Sequence, residues 1–348
     1  MRTGLAQYGF RFLDGLRPQE RRDISLLVND GVRQEFAALY PECRIECIKT
    51  VNPRLPLSPL LNSLRWRKAA RTAAGDVLFR ITQVPKYNFW KLNKKLVLTL
   101  HDLIVLRLAH KPPFYRAGIY RGLCNADRII TITDCVRQDL FSTFPEIARD
   151  KVTVIHNGVS LPAFKQVPLP FEGTFILTVN ALVAHKNVIT LLKAFNLIKD
   201  RIPHRLVLVG KPTPHFHEVL QPYIEANGLQ DRVMHIEFAP DDLLYSLYSK
   251  TKLFVTTSLQ EGFGFTPIEA ALCGARVLST EESALKESTM GLVDYYSPAT
   301  DEQALAARIM ELLSADDTAS REQIRSTLLA HYDLHSQARK IYNVLTGE

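Results

Sequence analysis

The stretch from Leu253 to Thr280, LFVTTSLQEGFGFTPIEAALCGARVLST, constrains the fold of this chain more than any other. Its apolar, β-branched opening predicts a buried parallel strand over 253–257. A loop with two glycines follows, and a helix is predicted to start with Thr266 as N-cap and Pro267 at the first helical position. Gly274 ends that helix, and a second apolar run returns as a strand. The stretch predicts an α/β chain in which the free N–H groups of a helix start face a loop that accepts an anion.

Two carboxylates, Glu261 and Glu269, frame this loop with seven residues between them. Glu-x7-Glu around Gly-Phe-Gly, before a helix of small residues, resembles the signature of retaining glycosyltransferases of family 4, which have the GT-B fold. The resemblance implies that Glu261 faces the donor sugar and that Glu269 holds the ribose hydroxyls. It also implies a donor-binding loop whose amides cradle the pyrophosphate, formed by Gly262, Phe263, Gly264, Phe265 and Thr266. Two simpler interpretations stay open: Thr266-x-x-Glu269 is also a capping box, and Glu261 is a solvated loop acid.

The loop after the strand predicted at 174–180 is the second donor element that the resemblance implies. In the family it carries an early Arg and a late Lys that clamp the donor phosphates. Lys186 matches the Lys, and a solvent-exposed lysine at a helix start is the simpler interpretation. Asn180 or Ala181 stands at the Arg position, so that half of the clamp is absent; either His185 compensates or pyrophosphate binding is weaker. Gly210 and Lys211 end another predicted strand, at a position that faces ligand in the same fold.

The first half of the chain contributes a polar pair at a strand end. The run 96–100 predicts a buried strand, followed by His101 and Asp102, where open α/β sheets bind ligands. The resemblance implies that His101 lies near the donor sugar, although a strand-end histidine is more often satisfied by hydrogen bonds. Asp102 either caps the next segment or contacts the acceptor. Gly4 is counted with the acceptor residues, as a remnant of the family's first turn, or else it belongs to an unpacked terminus.

Length and the alternation of strands and helices predict two domains. We expect two doubly wound, Rossmann-like domains facing across a cleft, the GT-B fold. The acceptor domain is predicted at 1–158, the donor domain at 159–330, and a helix at 331–348 that crosses back to the first domain. The boundary follows the tetrad HNGV at 156–159, where proline density rises. Neither half contains G-x-G-x-x-G, which argues against a dinucleotide cofactor.

Two details of the first domain are less regular. The strand that precedes the helix predicted over 3–20 in the family is missing, so either the chain begins late or its first sheet is built differently. Asp134 is predicted to cap the helix at 136–144.

Charge separates the two halves of the chain. Residues 1–155 carry 26 Lys and Arg against 14 Asp and Glu, a net charge of +12, and the remainder carries 17 against 22, a net of −5. Such asymmetry indicates an anionic partner for the first half. Basic residues mix with aromatics in a loop and short basic segment predicted at 52–71, and again at 86–95. This mixture suits anionic lipid or a lipid-linked saccharide, single-stranded nucleic acid, or simply a solvated face: Arg54, Arg65, Trp66, Arg67, Lys68, Arg71, Lys86, Tyr87, Phe89, Trp90, Lys91, Lys94 and Lys95.

Composition indicates a cytoplasmic protein, at most peripheral on the inner face of the cell membrane. No apolar run approaches the roughly 20 residues that span a bilayer, and the N-terminus lacks a signal sequence. Five scattered cysteines, without zinc spacing, suggest reduced thiols. No Asp-x-Asp lies at a strand end, so we expect no metal, and no cofactor beyond a nucleotide-diphosphate sugar as co-substrate.

The predicted function is retaining, metal-independent transfer of a sugar, with mannose as one candidate, from a nucleotide sugar to a saccharide acceptor in surface polysaccharide or lipopolysaccharide O-antigen synthesis. The predicted catalytic set is His101, Glu261 and Lys186. Glu261 is expected to position the sugar and not to attack it. Two alternatives stay open: a GT-B protein without turnover that serves as a sugar-binding or partner subunit, and a basic nucleic-acid-binding protein.

Overall fold

The computed structural model describes residues 4–52, 57–83, 91–107, 113–315 and 318–348, which form two compact units. The first unit runs to Val159 and also contains Tyr332–Glu348, and the second is Ser160–His331. Several residues of the predicted basic clusters lie outside the described ranges: Arg54, Lys86, Tyr87, Phe89 and Trp90.

Helices and strands alternate through most of the chain. The helices are α1 (Gly4–Gly15), α2 (Pro18–Arg21), α3 (Arg33–Leu39), α4 (Ser58–Thr72), α5 (Pro113–Asn125), α6 (Asp134–Thr143), α7 (Val188–Ile198), α8 (Gln221–Ala226), α9 (Asp241–Lys250), α10 (Phe265–Leu272), α11 (Leu285–Ser288), α12 (Glu302–Ser314), α13 (Thr318–His331) and α14 (Leu334–Thr346). The strands are β1 (Ser25–Asn29), β2 (Arg44–Ile48), β3 (Val77–Arg80), β4 (Lys95–Leu100), β5 (Arg128–Thr131), β6 (Val152–Val154), β7 (Phe175–Val179), β8 (Arg205–Val209), β9 (Val233–Ile236), β10 (Leu253–Val255), β11 (Val277–Thr280) and β12 (Asp294–Tyr296). Among the helices within the described ranges, none is long and apolar enough to cross a bilayer.

The described strands of the first unit form two parallel sheets. β1 pairs with β2, and a four-stranded sheet has the order β3-β4-β5-β6. Helix α1 buries Tyr8, Phe12 and Leu13 on one face, as its apolar spacing predicts. The Tyr8 hydroxyl lies 3.1 Å from the Thr99 hydroxyl on β4, which fixes α1 against the larger sheet. Helix α14 packs on α1 within the same unit.

The second unit contains one six-stranded parallel sheet in the order β12-β11-β10-β7-β8-β9. The strand order reverses between β7 and β10, which pair in parallel, so this is a doubly wound sheet. Its central strands β7 and β10 are buried along their whole length, as expected for parallel strands covered on both faces, and the side chains of Ile176, Leu208 and Phe254 are fully buried. The predicted α/β class with parallel sheets is confirmed.

Two predictions for the first unit were wrong, and two short strands were missed. The loop and short basic segment predicted at 52–71 contains the 15-residue helix α4, whose leucines at 60, 61 and 64 have a helical spacing that the prediction overlooked. Thr133, and not Asp134, caps α6, because its hydroxyl accepts the Val136 N–H at 3.1 Å while Asp134 already lies in the first turn. The short strands β3 and β12 were not predicted.

Candidate active site

The site predicted from the sequence lies where the strand order of the second unit reverses. β7 and β10 run side by side in parallel, so the loops that leave their carboxyl ends start next to each other. In open α/β sheets this reversal creates the crevice in which ligands bind, because the two loops diverge to opposite faces. The loop after β7 carries His185 and Lys186, and the loop after β10 carries Glu261.

Hydrogen bonds hold these two loops together. The Leu259 N–H donates to the carbonyl of His185 at 2.8 Å, and the buried Thr257 hydroxyl donates to the carbonyl of Lys186 at 2.8 Å. A third bond, from the Ser283 hydroxyl to the carbonyl of Glu261 at 2.8 Å, fixes the backbone at that glutamate. The loops therefore present their side chains from a restrained backbone.

Lys186 and Glu261 meet as an ion pair. The Lys186 Nζ lies 2.5 Å from Glu261 Oε1, and both side chains retain only about one sixth of their exposure, at 15% and 16%. Because the pair is largely desolvated, its electrostatic interaction is stronger than that of a surface pair. The structure thus brings together two residues that are 75 positions apart in the chain.

Helix α10 begins two residues earlier than predicted. Gly264, with φ +81°, is its N-cap, and Phe265 is its first residue. Thr266 therefore lies inside the first turn, and no side chain caps the helix, so both the predicted threonine cap and the capping-box interpretation of Glu269 are wrong. The first N–H groups of any helix have no partner within that helix, and in α10 Phe265 and Thr266 supply them, because Pro267 has no N–H. A side chain at Gly264 would also bring a Cβ within 2.6 Å of Leu285 Cδ2.

The remaining loop residues flank this helix start. Phe263 is buried and packs against the half-buried Phe265, with ring centroids 4.9 Å apart. Gly262 and Thr266 are half-buried. The half-buried Glu269 follows one turn along α10, near the fully buried Tyr248 of α9. Burial, with the nearby Glu269 carboxylate as a second cause, raises the pKa of the Tyr248 phenol well above its ordinary value.

Asn180 and Gly210 lie side by side at the ends of β7 and β8. The Asn180 N–H donates to Val209 at 3.0 Å, and its amide Nδ2 donates to Thr178 Oγ1 at 3.1 Å. Its Oδ1 is buried and has no hydrogen-bond partner among the described residues. Gly210, at φ +154°, packs so closely that a Cβ would lie 1.9 Å from the Asn180 carbonyl oxygen. Lys211 next to it is exposed.

His185 is half-buried beside the ion pair. Burial is the largest cause that lowers the pKa of its imidazole, and the neighbouring Lys186 lowers it further, whereas Glu261 opposes them. The ring is therefore predominantly neutral at pH 7, and a neutral imidazole does not replace the charge of an arginine.

The predicted residues of the first unit occupy a different environment. His101 is 8% exposed; its Nε2 hydrogen-bonds the Ile81 carbonyl at 2.7 Å, and its ring contacts Tyr8 edge-on at 4.8 Å. Burial lowers the pKa of His101 to about 4, so the ring is neutral. Asp102 caps the following 3-10 turn by accepting the Ile104 N–H at 3.0 Å. Gly4 is the first residue of α1.

Two family models match successive parts of the chain. The model for glycosyltransferase family 4 matches residues 23–162, and the model for group 1 glycosyl transferases matches residues 162–327. The chain belongs to glycosyltransferase family 4. The predicted resemblance is therefore confirmed.

Two curated relatives resemble the chain in sequence, and one solved structure resembles it in fold. The serotype-specific mannosyltransferase WbdA of Escherichia coli is 30% identical over 275 residues, 73% of this chain but only 33% of WbdA, so the chain spans about a third of that relative. The O-antigen chain mannosyltransferase RfbU of Salmonella typhimurium is 23% identical over 360 residues, 99% of this chain and 96% of RfbU. A crystal structure of Anabaena HepE with UDP and glucose has a TM-score of 0.78 at 18% identity, covering 99% and 96% of the two chains. The last similarity shows a shared GT-B fold.

Some residues that shape this family 4 site were not predicted. Thr257 and Ser283 hold the backbone of Lys186 and Glu261, and Tyr248 faces Glu269. A hydroxyl at the end of a predicted strand was the only signal for Thr257, and nothing in the sequence distinguishes Tyr248 from a core tyrosine. Within the described ranges, no three His, Cys, Asp or Glu side chains gather as a metal site.

Proposed function

We propose that this chain transfers a sugar from a nucleotide-diphosphate donor to a saccharide acceptor, with retention of anomeric configuration and without a metal ion. The observation that carries the proposal is the Lys186–Glu261 pair beside the uncapped start of α10. A cation and free amides are what a departing diphosphate needs, and a carboxylate next to them suits the polar hydroxyls of a sugar.

The work of the site is mainly electrostatic. Lys186 and the first amides of α10 stabilise the charge that develops on the leaving diphosphate, while Glu261 positions the sugar. Because one ammonium serves both Glu261 and the diphosphate, donor binding divides its hydrogen bonds between two anions. Glu269, one turn further on α10, holds the ribose hydroxyls. Asn180, His185, Gly210 and Lys211 complete the donor pocket in this proposal.

The names of the relatives support mannose as the transferred sugar and a surface polysaccharide as the product, since WbdA and RfbU are mannosyltransferases and RfbU acts on the O-antigen chain. UDP in the HepE crystals supports a nucleotide sugar as the donor. The net charge of +12 over residues 1–155 supports a lipid-linked acceptor and a peripheral position on the inner face of the membrane.

The test is a thermal-shift screen with UDP-, GDP-, ADP- and dTDP-sugars, followed by transfer assays with the sugar that binds. A ligand that binds only the folded state raises the melting temperature. Glu261→Gln and Lys186→Ala should each lower kcat/KM by about a hundredfold or more. Glu281→Gln and Lys286→Ala are the matched controls, because they remove an exposed ion pair of the same unit. Transfer at the wild-type rate by Glu261→Gln would refute the proposal.

A sugar-binding subunit without turnover is the second candidate, favoured by Asn180 at the position where the family carries an arginine. In that case a nucleotide sugar raises the melting temperature of the wild type, while neither transfer nor donor hydrolysis is detected. Asn180→Arg then tests whether the missing cation is the reason, since it should restore hydrolysis only if charge at this position limits the reaction.

A further inference from the structure

Helix α4 carries its large apolar side chains on the outside. Three leucines of this helix, and Leu57 just before it, are strongly exposed: Leu57 by 66%, Leu60 by 57%, Leu61 by 42% and Leu64 by 43%. Spacings of three and four residues place them on one face. Single exposed leucines are common, whereas a continuous apolar face usually marks an interaction surface.

The inward face of α4 carries polar and small residues around the half-buried Trp66. Asn62 accepts the Val51 N–H at 2.7 Å and donates to the Val51 carbonyl at 3.1 Å, so it fixes the rotation of the helix about its axis. Ser58 is 1% exposed and Ser63 is 9% exposed. The outward direction of the leucines therefore follows from specific hydrogen bonds on the opposite side, and hydrophobic packing within the unit does not explain why leucine occupies these positions.

The second half of the same outer face is cationic. Lys68 and Arg71 are exposed and follow Leu64 at spacings of four and seven residues. Within the described ranges, neither side chain forms an ion pair or a hydrogen bond. Arg65, also exposed, donates to the Lys49 carbonyl at 2.7 Å and so links the helix to the segment after β2. The helix sequence SPLLNSLRWRKAART contains no acid, so nothing on α4 neutralises this charge.

We propose that the outer face of α4 docks this chain on a bilayer that contains anionic phospholipid. The proposal rests on the proposed function, because a lipid-linked acceptor lies in such a bilayer. Apolar side chains reach the acyl boundary of a membrane only about 5–10 Å below the surface. Lys68 lies about 12 Å along the axis from Leu60, so a helix inclined with its N-terminal half deeper inserts the leucines and keeps the cations among the phosphates.

Vesicle co-sedimentation tests this surface without any turnover. The full-length protein should bind vesicles of phosphatidylcholine with phosphatidylglycerol, bind vesicles of phosphatidylcholine alone more weakly, and lose affinity as salt increases. Leu60→Ser with Leu64→Ser should weaken binding by about a hundredfold, because two inserted side chains return to water. Lys68→Gln with Arg71→Gln should weaken it by roughly thirtyfold.

Matched controls come from the second unit. Leu197→Ser removes a leucine that is 53% exposed on α7, and Lys193→Gln with Arg201→Gln removes two exposed cations. These variants should bind vesicles as the wild type does. Wild-type melting temperatures for the α4 variants would show that their loss of binding is not unfolding.

Several results would overturn the proposal. One is that the wild type fails to bind either kind of vesicle, and another is that the leucine variant binds vesicles as tightly as the wild type. Light scattering could instead reveal a dimer of the wild type that dissociates only in the leucine variant, while that variant still binds vesicles. A second copy of the chain would then be the partner of this face. A third is that the Lys68/Arg71 variant loses binding to an oligonucleotide while its binding to vesicles is unchanged, which would make nucleic acid the partner of these cations. A missing thermal shift with every nucleotide sugar, together with intact vesicle binding, would refute the proposed function and leave this surface standing.

Discussion

At the residue scale, the structure separates glycines that are needed for space from those needed only for their backbone angle. Gly210 lies so close to Asn180 that a Cβ would overlap the Asn180 carbonyl oxygen at 1.9 Å. Gly274, at φ +83°, follows the end of α10, and a Cβ built there would have no neighbouring segment within 4 Å. The two glycines therefore differ in the penalty that a methyl group imposes.

Gly210→Ala should lower the free energy of unfolding by about 3 kcal/mol or more, because two backbone segments must separate. Gly274→Ala, its control, should cost only about 1 kcal/mol, since only the left-handed backbone angle is penalised. Urea unfolding of both variants measures the difference. Equal costs for the two variants would contradict the close packing of β7 and β8 at the site.

His101 predicts a pH dependence of stability. Its pKa is about 4 in the folded chain, against 6.5 when unfolded, because burial disfavours the charged ring. The unfolded state therefore binds more protons between these values, and stability falls as pH decreases from 6.5 to 4. This contribution is fully present above pH 6.5 and amounts to about 3 kcal/mol.

Urea unfolding at several pH values, compared with His101→Gln, isolates that contribution. Glutamine retains a donor for the Ile81 carbonyl but does not titrate, so the variant should lose less stability than the wild type on acidification. Parallel curves for the two proteins over this range would show that His101 does not titrate as its environment indicates.

At the element scale, α14 shows how a distant segment completes the first unit. The His335 ring hydrogen-bonds the Gly15 carbonyl at 2.9 Å, and the Tyr342 hydroxyl donates to Asp23 at 2.7 Å. Ala338 and Ile341 are buried on the same side of the helix. The packing of α14 on α1 therefore combines an apolar stripe with polar contacts at its borders.

Ile341→Ala should destabilise the first unit by about 2–4 kcal/mol, because the side chain is only 3% exposed and its removal leaves a cavity. Lys340→Ala, on the exposed side of the same helix, should change stability by less than about 0.5 kcal/mol. Thermal or urea unfolding checks both. A small effect for Ile341→Ala would mean that α14 contributes little to this unit.

At the scale of the whole molecule, one unit is a continuous stretch of the chain and the other is assembled from two separate stretches. The second unit is continuous from Ser160 to His331 and has its own buried core, whereas the first needs residues from both ends of the chain. Folding of the second unit therefore requires no distant segment, but folding of the first closes a loop that contains the entire second unit.

Residues 160–331 expressed alone should unfold cooperatively and should melt at a higher temperature with the donor identified for the full chain. Residues 2–159 alone should lack a cooperative transition, and a peptide of residues 332–348 should restore one. The same peptide with Ile341→Ala is the control and should restore less. Cooperative unfolding of 2–159 without the peptide would contradict the role assigned to α14.

Sequence patterns predicted the second unit better than the first. Apolar runs at β7, β8 and β10 are continuous because both faces of that sheet are covered, and such runs are recognisable in one sequence. In contrast, α4 was missed although its leucines have helical spacing, because the basic residues that follow them were interpreted as part of a loop segment. Boundaries were also approximate, because α10 begins at Phe265, two residues before the predicted Pro267.

The sequence alone determined the class of fold, the family, and a glycine-containing loop with one acid before a helix and a second acid within it, because each depends on residues close together in the chain. Only the tertiary structure decided that Lys186 reaches Glu261, that Thr266 does not cap α10, and that His101 is buried and neutral. The Lys186–Glu261 contact and the burial of His101 depend on segments far apart in sequence and on exclusion of water, and the cap of α10 depends on the backbone conformation at Gly264; a residue pattern specifies none of these.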